Sequence, residues 1–243
     1  MAKVFGVEAN LIKPSECSEK WPGMYSEDIL GGVWLPNDGK VDPEKLAVSL
    51  AKGAKKYGAN IIENTHVSKI LKKNNRVNGV ETDQGIIYSD EVIIAAGLGT
   101  PDLLSTININ FKMSSTLGLL AYTNPLPKLI LQHPITGKDF HARQDYLGRL
   151  VIGGKFDEDA SKESNIKEAA EKLVQDMDAR LNYNGVMTLE NYTLGRRPLP
   201  IDGRPKIGRF QNHLDEKIKG IYVAVMHSGT VSYTHLRAHE TEA

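Results

Sequence analysis

The segment from Gly195 to Gly208 combines two adjacent arginines with three prolines and an Asp-Gly pair. Proline restricts φ and Asp-Gly favours a tight reversal, so we predict an extended strand that turns back near Gly203. Successive residues of a strand point to opposite faces, so only one of Arg196 and Arg197 can enter a pocket. There, a planar guanidinium binds a carboxylate through two parallel hydrogen bonds. The segment therefore predicts a carboxylate site, with a solvated surface arginine pair as the alternative.

An apolar run at 92–100 ends in small residues, among them Ala96 and Gly97. Small side chains let a ligand approach the backbone at the end of a strand. Many parallel strands end this way for packing reasons alone, so both interpretations stay open. Val67 opens another predicted strand, and its surrounding tripeptide carries no functional signal by itself.

A second apolar run, at 220–226, leads into His227-Ser228-Gly229. Backbone amides in such a turn could stabilise negative charge on a ligand, and a satisfied histidine at a strand end is an equal alternative. His141 lies on one arm of a predicted hairpin. For this histidine, packing and a place in a pocket are both open.

The spacing within Gly195–Gly208 resembles the G-x-R-P-x-x-x-D-G-x-P-x-I-G signature of the D-amino acid oxidase/glycine oxidase family. In that family the arginine before the first proline binds the substrate carboxylate, which implies this role for Arg197. The resemblance also implies an FAD cofactor and an amino-acid or amine substrate. His141 occupies the place of a pocket tyrosine in glycine oxidase, which implies that it faces the substrate amine, although the residue type departs.

The same resemblance implies a set of contacts to FAD. In the family, the corresponding segments approach the adenine, the diphosphate and the flavin ring in turn. The residues implied to contact the cofactor are Val67, Ala96, Gly97, His227, Ser228 and Gly229.

The sequence departs from the family in two important respects, at its beginning and at its end. The first is that it contains no G-x-G-x-x-G fingerprint. That loop and the helix that follows it normally hold a dinucleotide pyrophosphate, so we expect this chain alone to bind FAD weakly. We expect the C-terminal portion of such an enzyme, with Met1 an internal methionine or a truncation point. Residues 231–243 look foreign to the family and are excluded from the fold prediction.

The resemblance implies a mixed α/β (α+β) fold, in which part of a Rossmann-like FAD-binding lobe joins a substrate lobe built on an antiparallel sheet. An entry segment of the substrate lobe is expected at 1–38. The FAD-binding lobe is expected at 39–100 and 205–230, and the substrate lobe at 101–204. Residues 231–243 form the tail.

Capping residues, turn residues and apolar periodicity predict the individual helices and strands. One helix begins near Pro43 and ends near Gly58, and a second, with an apolar stripe, begins at an Asn165-Glu168 capping box and ends near Asn184. A hairpin has arms at 140–144 and 149–153. The remaining predicted strands are 60–63, 67–71, 77–82, 86–88, 92–96 and 220–226.

Composition narrows the function classes. The 30 basic and 30 acidic residues cancel, which argues against nucleic-acid binding. Cys17 is the single cysteine, so no intrachain disulfide is available. We find no membrane span, signal peptide or metal site, and we expect a cytoplasmic protein.

These observations lead to two hypotheses from different classes. The first is FAD-dependent oxidation of glycine, sarcosine or a D-amino acid by hydride transfer to flavin, with Arg197 holding the carboxylate. Gly32 to Pro43 also resembles sarcosine and dimethylglycine dehydrogenases, so the amine stays open, as do the electron-acceptor partner and a homo-oligomer. The rival is a non-catalytic fragment or partner-binding subunit that cannot hold FAD.

Overall fold

The computed structural model describes residues 8–21, 29–154, 163–210 and 218–226. The chain divides into two compact units. Unit 1 comprises residues 1–42 and 117–195, and unit 2 comprises 43–116 and 196–243. The α-helices of the described ranges are α1 (Pro14–Lys20), α2 (Pro43–Lys56), α3 (Thr100–Ser105) and α4 (Glu163–Arg180).

The strands follow in chain order, and two of them, β7 and β11, contain a unit boundary. The strands are β1 (Asn10–Ile12), β2 (Gly32–Trp34), β3 (Val67–Lys73), β4 (Arg76–Thr82), β5 (Gly85–Tyr88), β6 (Val92–Ile94), β7 (Ser114–Thr123), β8 (Ile135–Thr136), β9 (Phe140–Gln144), β10 (Leu150–Gly154), β11 (Leu189–Leu199), β12 (Lys206–Arg209) and β13 (Ile221–Val225).

Unit 1 is built around a five-stranded sheet in the order β11-β7-β10-β9-β8. Strand β10 is antiparallel to both β7 and β9. Helix α4 buries Ala170, Val174 and Met177 in the same core as the strands, which confirms the predicted apolar stripe. The helix begins at Glu163, two residues before the predicted capping box, so that prediction of its start was wrong.

The β9–β10 hairpin is closed by the side chain of Asp145. Its carboxylate accepts hydrogen bonds from the backbone N–H groups of Leu147 and Arg149, each at 2.9 Å. The Arg149 guanidinium donates to the same carboxylate at 2.9 Å. The antiparallel pairing of β9 and β10 confirms the predicted hairpin. Its turn is stable because an aspartate at the start of a turn can accept hydrogen bonds from the amides that follow it.

Unit 2 contains a helix followed by a meander, as predicted. Strands β3, β4 and β5 form one antiparallel sheet, and a second sheet has the order β12-β13-β6. Strands β6 and β13 are parallel, with Ile94 opposite Val223. The predicted strand at 60–63 is wrong, since those residues form no regular element and pair with no strand in the described part of the chain.

Both sheets of unit 2 contribute to one core, in which Ile70 of β3 and Val77 of β4 pack with Ile94 and Val223. Helix α3 is tied to β3 by the Ile70 N–H, which donates to the Thr106 hydroxyl at 3.1 Å. No helix in the described ranges is long and apolar enough to cross a membrane.

Candidate functional site

The two adjacent arginines of β11 differ in their surroundings. Arg196 is exposed, and its guanidinium donates to the Ser115 hydroxyl at 3.2 Å. Arg197 is half-buried, and within the described ranges it has no hydrogen-bond or ion-pair partner. The alternation of side chains along an extended strand separates the two guanidinium groups. Among the described residues, Arg197 is therefore the member of this pair whose guanidinium has no protein partner.

The strand reverses immediately after the arginines, as predicted. Gly203 has φ +73° and its N–H donates to the Pro200 carbonyl at 3.2 Å. The Asp202 carboxylate accepts from the Lys206 ammonium and from the Arg204 N–H. The Lys206 hydrogen bond and then the Arg204 hydrogen bond lower the pKa of the Asp202 carboxyl. The turn thus leads the chain from β11 into β12.

The carboxyl ends of the parallel strands β6 and β13 meet at one edge of their sheet. Ala96 and Gly97 follow β6 at this edge, and Ala96 is exposed. Gly97 has φ +54°, and a Cβ added there would meet nothing within 4 Å. In open α/β sheets this is the edge at which ligands bind. The small residues leave the backbone accessible to a ligand of unit 2.

The hydroxyl of Thr100 is buried beside this turn and has no hydrogen-bond partner in the described part of the structure. A buried hydroxyl without a partner needs an explanation, because most such groups are satisfied. Sequence reasoning missed Thr100, since a threonine after Gly-Leu-Gly carries no signal of its own. The open backbone at Gly97 fits one edge of a phosphate-bearing cofactor such as FAD, although the sequence contains no complete pyrophosphate-binding loop.

Val67 lies elsewhere in unit 2, at the start of β3. It is half-buried and pairs with Thr82 of β4, next to an irregularity in the register. The adjoining strand ends are held together, because the His66 N–H donates to the Asp83 carboxylate at 3.1 Å and the Asp83 N–H donates to the His66 carbonyl at 3.1 Å. The structure places Val67 on a different sheet from β6, the strand that Ala96 and Gly97 follow.

His141 belongs to unit 1, on β9. It stands opposite Gly153 of β10, and its imidazole covers that glycine so closely that an added Cβ would overlap the ring. The glycine on the neighbouring strand therefore creates the space that the half-buried histidine occupies. The predicted residues His227, Ser228 and Gly229, and the tail at 231–243, lie outside the described residues.

Together, these features define a mixed α/β protein with an antiparallel-sheet unit and a second unit in which two parallel strands end at a ligand-accessible edge. The chain belongs to the DAO family of FAD-dependent oxidoreductases, whose model matches residues 1–231. This confirms the predicted family, the fold class and the FAD dependence of the family.

Individual relatives agree with this assignment. The chain is 31% identical over 151 residues to 4-methylaminobutanoate oxidase (formaldehyde-forming) of Paenarthrobacter nicotinovorans, which covers 61% of this chain and 18% of that protein. It is 26% identical to a D-amino acid dehydrogenase of Vibrio cholerae, covering 84% of this chain and 49% of the relative. The crystal structure of glycine oxidase from Bacillus cereus matches with a TM-score of 0.74 and 27% identity, over 92% of this chain and 60% of that one. The chain thus spans less than two thirds of each of these proteins.

Proposed function

We propose that this chain is part of an FAD-dependent oxidoreductase that oxidises an amino acid or secondary amine of the glycine, sarcosine or D-amino acid type. The observation that carries the proposal is the half-buried Arg197, which has no partner among the described residues and stands in the family's signature segment. The relatives support the substrate class, since they include a methylamino-acid oxidase and a D-amino acid dehydrogenase.

Arg197 is proposed to bind the substrate carboxylate. A guanidinium that is partly removed from water and lacks a protein partner favours an anion, and its planar fork fixes the anion's orientation. Arg196 is less suited to this role because it is exposed and already donates to Ser115. Orientation by Arg197 would place the carbon that bears the substrate nitrogen for oxidation.

The residues proposed to contact FAD in unit 2 are Val67, Ala96, Gly97 and, beyond the described ranges, His227, Ser228 and Gly229. The accessible backbone of Gly97 supports contacts at the end of β6. When FAD is bound, it supplies the hydride acceptor for the oxidation. The substrate becomes an imine, which water hydrolyses to a keto or aldehyde acid with release of ammonia or an amine.

His141 is proposed to face the substrate amine. Its imidazole lies over the backbone of Gly153, so its position depends on the absence of a side chain there. A competing interpretation is that the ring only fills the space above this glycine. His141→Phe would keep a ring of similar shape, so a changed pH dependence of turnover would support the first interpretation alone.

The proposal is tested by a pair of conservative variants in the complete gene product, loaded with FAD. Arg197→Lys keeps the charge but loses the planar fork, and should cost about 1.5 to 3 kcal/mol, or roughly 10- to 150-fold in kcat/KM. Arg196→Lys is the matched control and should change kcat/KM little. The loss should shrink when the substrate is an uncharged ester of the same amino acid. Equal behaviour of the two variants, or an undiminished loss with the ester, would show that Arg197 is structural.

A non-catalytic, partner-binding protein is the second candidate. It is favoured by the missing glycine fingerprint. The visible absorption spectrum of the purified protein separates the two, because bound flavin is yellow. A preparation that is colourless as purified, and colourless again after incubation with FAD and removal of unbound flavin, would favour the partner-binding protein.

A further inference from the structure

Unit 1 contains a cavity that the proposed reaction does not use. Its volume is about 550 Å³, within the range of small-molecule sites. The lining comes from α1, β2, the segment around β8 and the end of α4, all within unit 1. None of the described residues assigned above to substrate or FAD lines this cavity.

The walls of the cavity are largely aromatic. Trp21 and Trp34 meet edge to face at 5.9 Å between ring centroids, and Phe140 lines the same space. Trp34 is held by two further contacts, with the His133 ring at 4.6 Å and with the Lys20 ammonium at 4.0 Å. Rigid aromatic walls favour a ligand with an apolar body that packs flat against them.

Trp21 supplies an unsatisfied donor at this cavity. Its side chain is 8% exposed, and its indole N–H has no hydrogen-bond partner in the described part of the structure. The indole nitrogen can only donate, so its missing partner must be an acceptor. Buried polar groups are satisfied in the great majority of cases, which points to an acceptor that the described residues do not provide.

The charged side chains around the cavity indicate whether the group that accepts this hydrogen bond is negatively charged. Arg180 and Lys138 both line it, and the Arg180 guanidinium lies 4.8 Å from the Phe140 ring centroid. Asp38 is the one carboxylate among the described lining residues, and it accepts from the Gly39 N–H at 3.0 Å. The two cations exceed this single acid, so the local potential favours an anion.

We propose that this cavity binds a small organic acid with an apolar ring. The ring packs against Trp34 and Phe140, and Arg180 and Lys138 supply the positive potential. The Trp21 indole N–H is covered in the empty cavity, so on binding the indole turns to donate to an oxygen of the anionic group. The described lining residues of this cavity belong to unit 1, whereas Arg197 belongs to unit 2. The proposed binding of an organic acid therefore does not depend on the proposed oxidoreductase activity.

The chain contains two tryptophans, and both line this cavity, so tryptophan fluorescence reports directly on its occupancy. The experiment titrates the full chain with 3-phenylpropionate and, in parallel, with uncharged 3-phenylpropan-1-ol. We expect a saturable change in emission with the acid at millimolar concentrations, and binding of the alcohol about tenfold weaker. No saturable change, or equal affinity for the acid and the alcohol, would overturn the proposal.

Variants locate the bound acid. Arg180→Met should weaken binding of the acid about fivefold to tenfold and leave the alcohol unchanged, whereas the exposed Arg204→Met is the matched control with no effect. If Arg180→Met fails to fold, Lys138→Met, at an exposed position, tests the same contribution of positive charge to binding of the acid. Trp21→Phe keeps the aromatic wall but removes the N–H, and calorimetry should show weaker binding of the acid. Unchanged affinity in both the Trp21 variant and the charge variants would refute this site.

Discussion

Unit 1 covers the apolar face of its long helix, whereas unit 2 leaves that of its own long helix exposed. In α4 the residues Ala170, Val174 and Met177 are buried in the core. Helix α2 has no buried residue, and its Leu50 is 59% exposed. Both helices have an apolar stripe in their sequences. Periodicity therefore identifies a face that can be buried, and only the surroundings of the helix decide whether it is.

The sheets of the two units differ in the same way. In unit 1, Ile152 is fully buried and pairs with Ala121 on one side and Ala142 on the other, so small residues flank a large one. In unit 2, Ile93 of β6 is 70% exposed, although the adjacent Ile94 is buried. Alternation along the strand sends one of these isoleucines into the core and the other out of it. Burial of apolar strand residues thus contributes more to the stability of unit 1 than to that of the described part of unit 2.

The largest effect should come from Ile152→Ala. Because its neighbours on both adjacent strands are already alanines, the truncation leaves a space that the sheet cannot refill, and we expect a loss of about 2 to 5 kcal/mol in the free energy of unfolding. Both tryptophans lie in unit 1, so denaturant unfolding followed by tryptophan fluorescence measures this unit.

Ile152→Val provides the matched control for this truncation. It removes a single methylene and should cost about 0.5 to 1.5 kcal/mol. Similar small losses for both variants would mean that unit 1 adjusts to the missing volume, and the contrast with unit 2 would weaken.

An intermediate effect is expected for Asp178→Ala, at the end of α4. The Asp178 carboxylate is buried and accepts from the Gly185 N–H at 2.6 Å and from the Met187 N–H at 2.9 Å. Truncation leaves two donors without their acceptor, which should cost about 1.5 to 3 kcal/mol by the same fluorescence measurement. Asp176→Ala is the control, because Asp176 is exposed and only pairs with Lys172 on the helix surface. An equally large loss of stability in the control would show that the change in helix charge is responsible, rather than the loss of the two hydrogen bonds to Asp178.

The smallest effect is expected for Leu50→Ala in α2. Since Leu50 is mostly exposed and alanine has a high helix propensity, the free energy of unfolding of unit 2 should change by no more than about 0.5 kcal/mol. Amide hydrogen exchange in β13 measures the stability of this unit. Ile94→Ala, at a buried position of the same unit, should by contrast cost about 2 to 4 kcal/mol. A large loss for Leu50→Ala would show that α2 is covered in solution.

Much of the local structure could be predicted because its determinants are local. The α2 helix, the β9–β10 hairpin and the meander depend on capping residues, turn residues and short-range periodicity. The strand predicted at 60–63 was wrong because apolar β-branched residues indicate a strand only if a neighbouring strand is there to pair with them. The start of α4 was predicted two residues late because helix ends vary by about that much among compatible capping signals.

In the candidate site, too, local features could be predicted from the sequence and long-range features could not. The sequence by itself determined the family signature, the reversal at Gly203 and the rule that Arg196 and Arg197 point to opposite faces. Only the tertiary structure decided that Arg196 donates to Ser115 while Arg197 stays half-buried. It also decided that the Thr100 hydroxyl and the Trp21 indole are buried without partners among the described residues. Turns and strand alternation follow from neighbouring residues, whereas burial and hydrogen-bond satisfaction depend on groups that the chain brings together from distant positions.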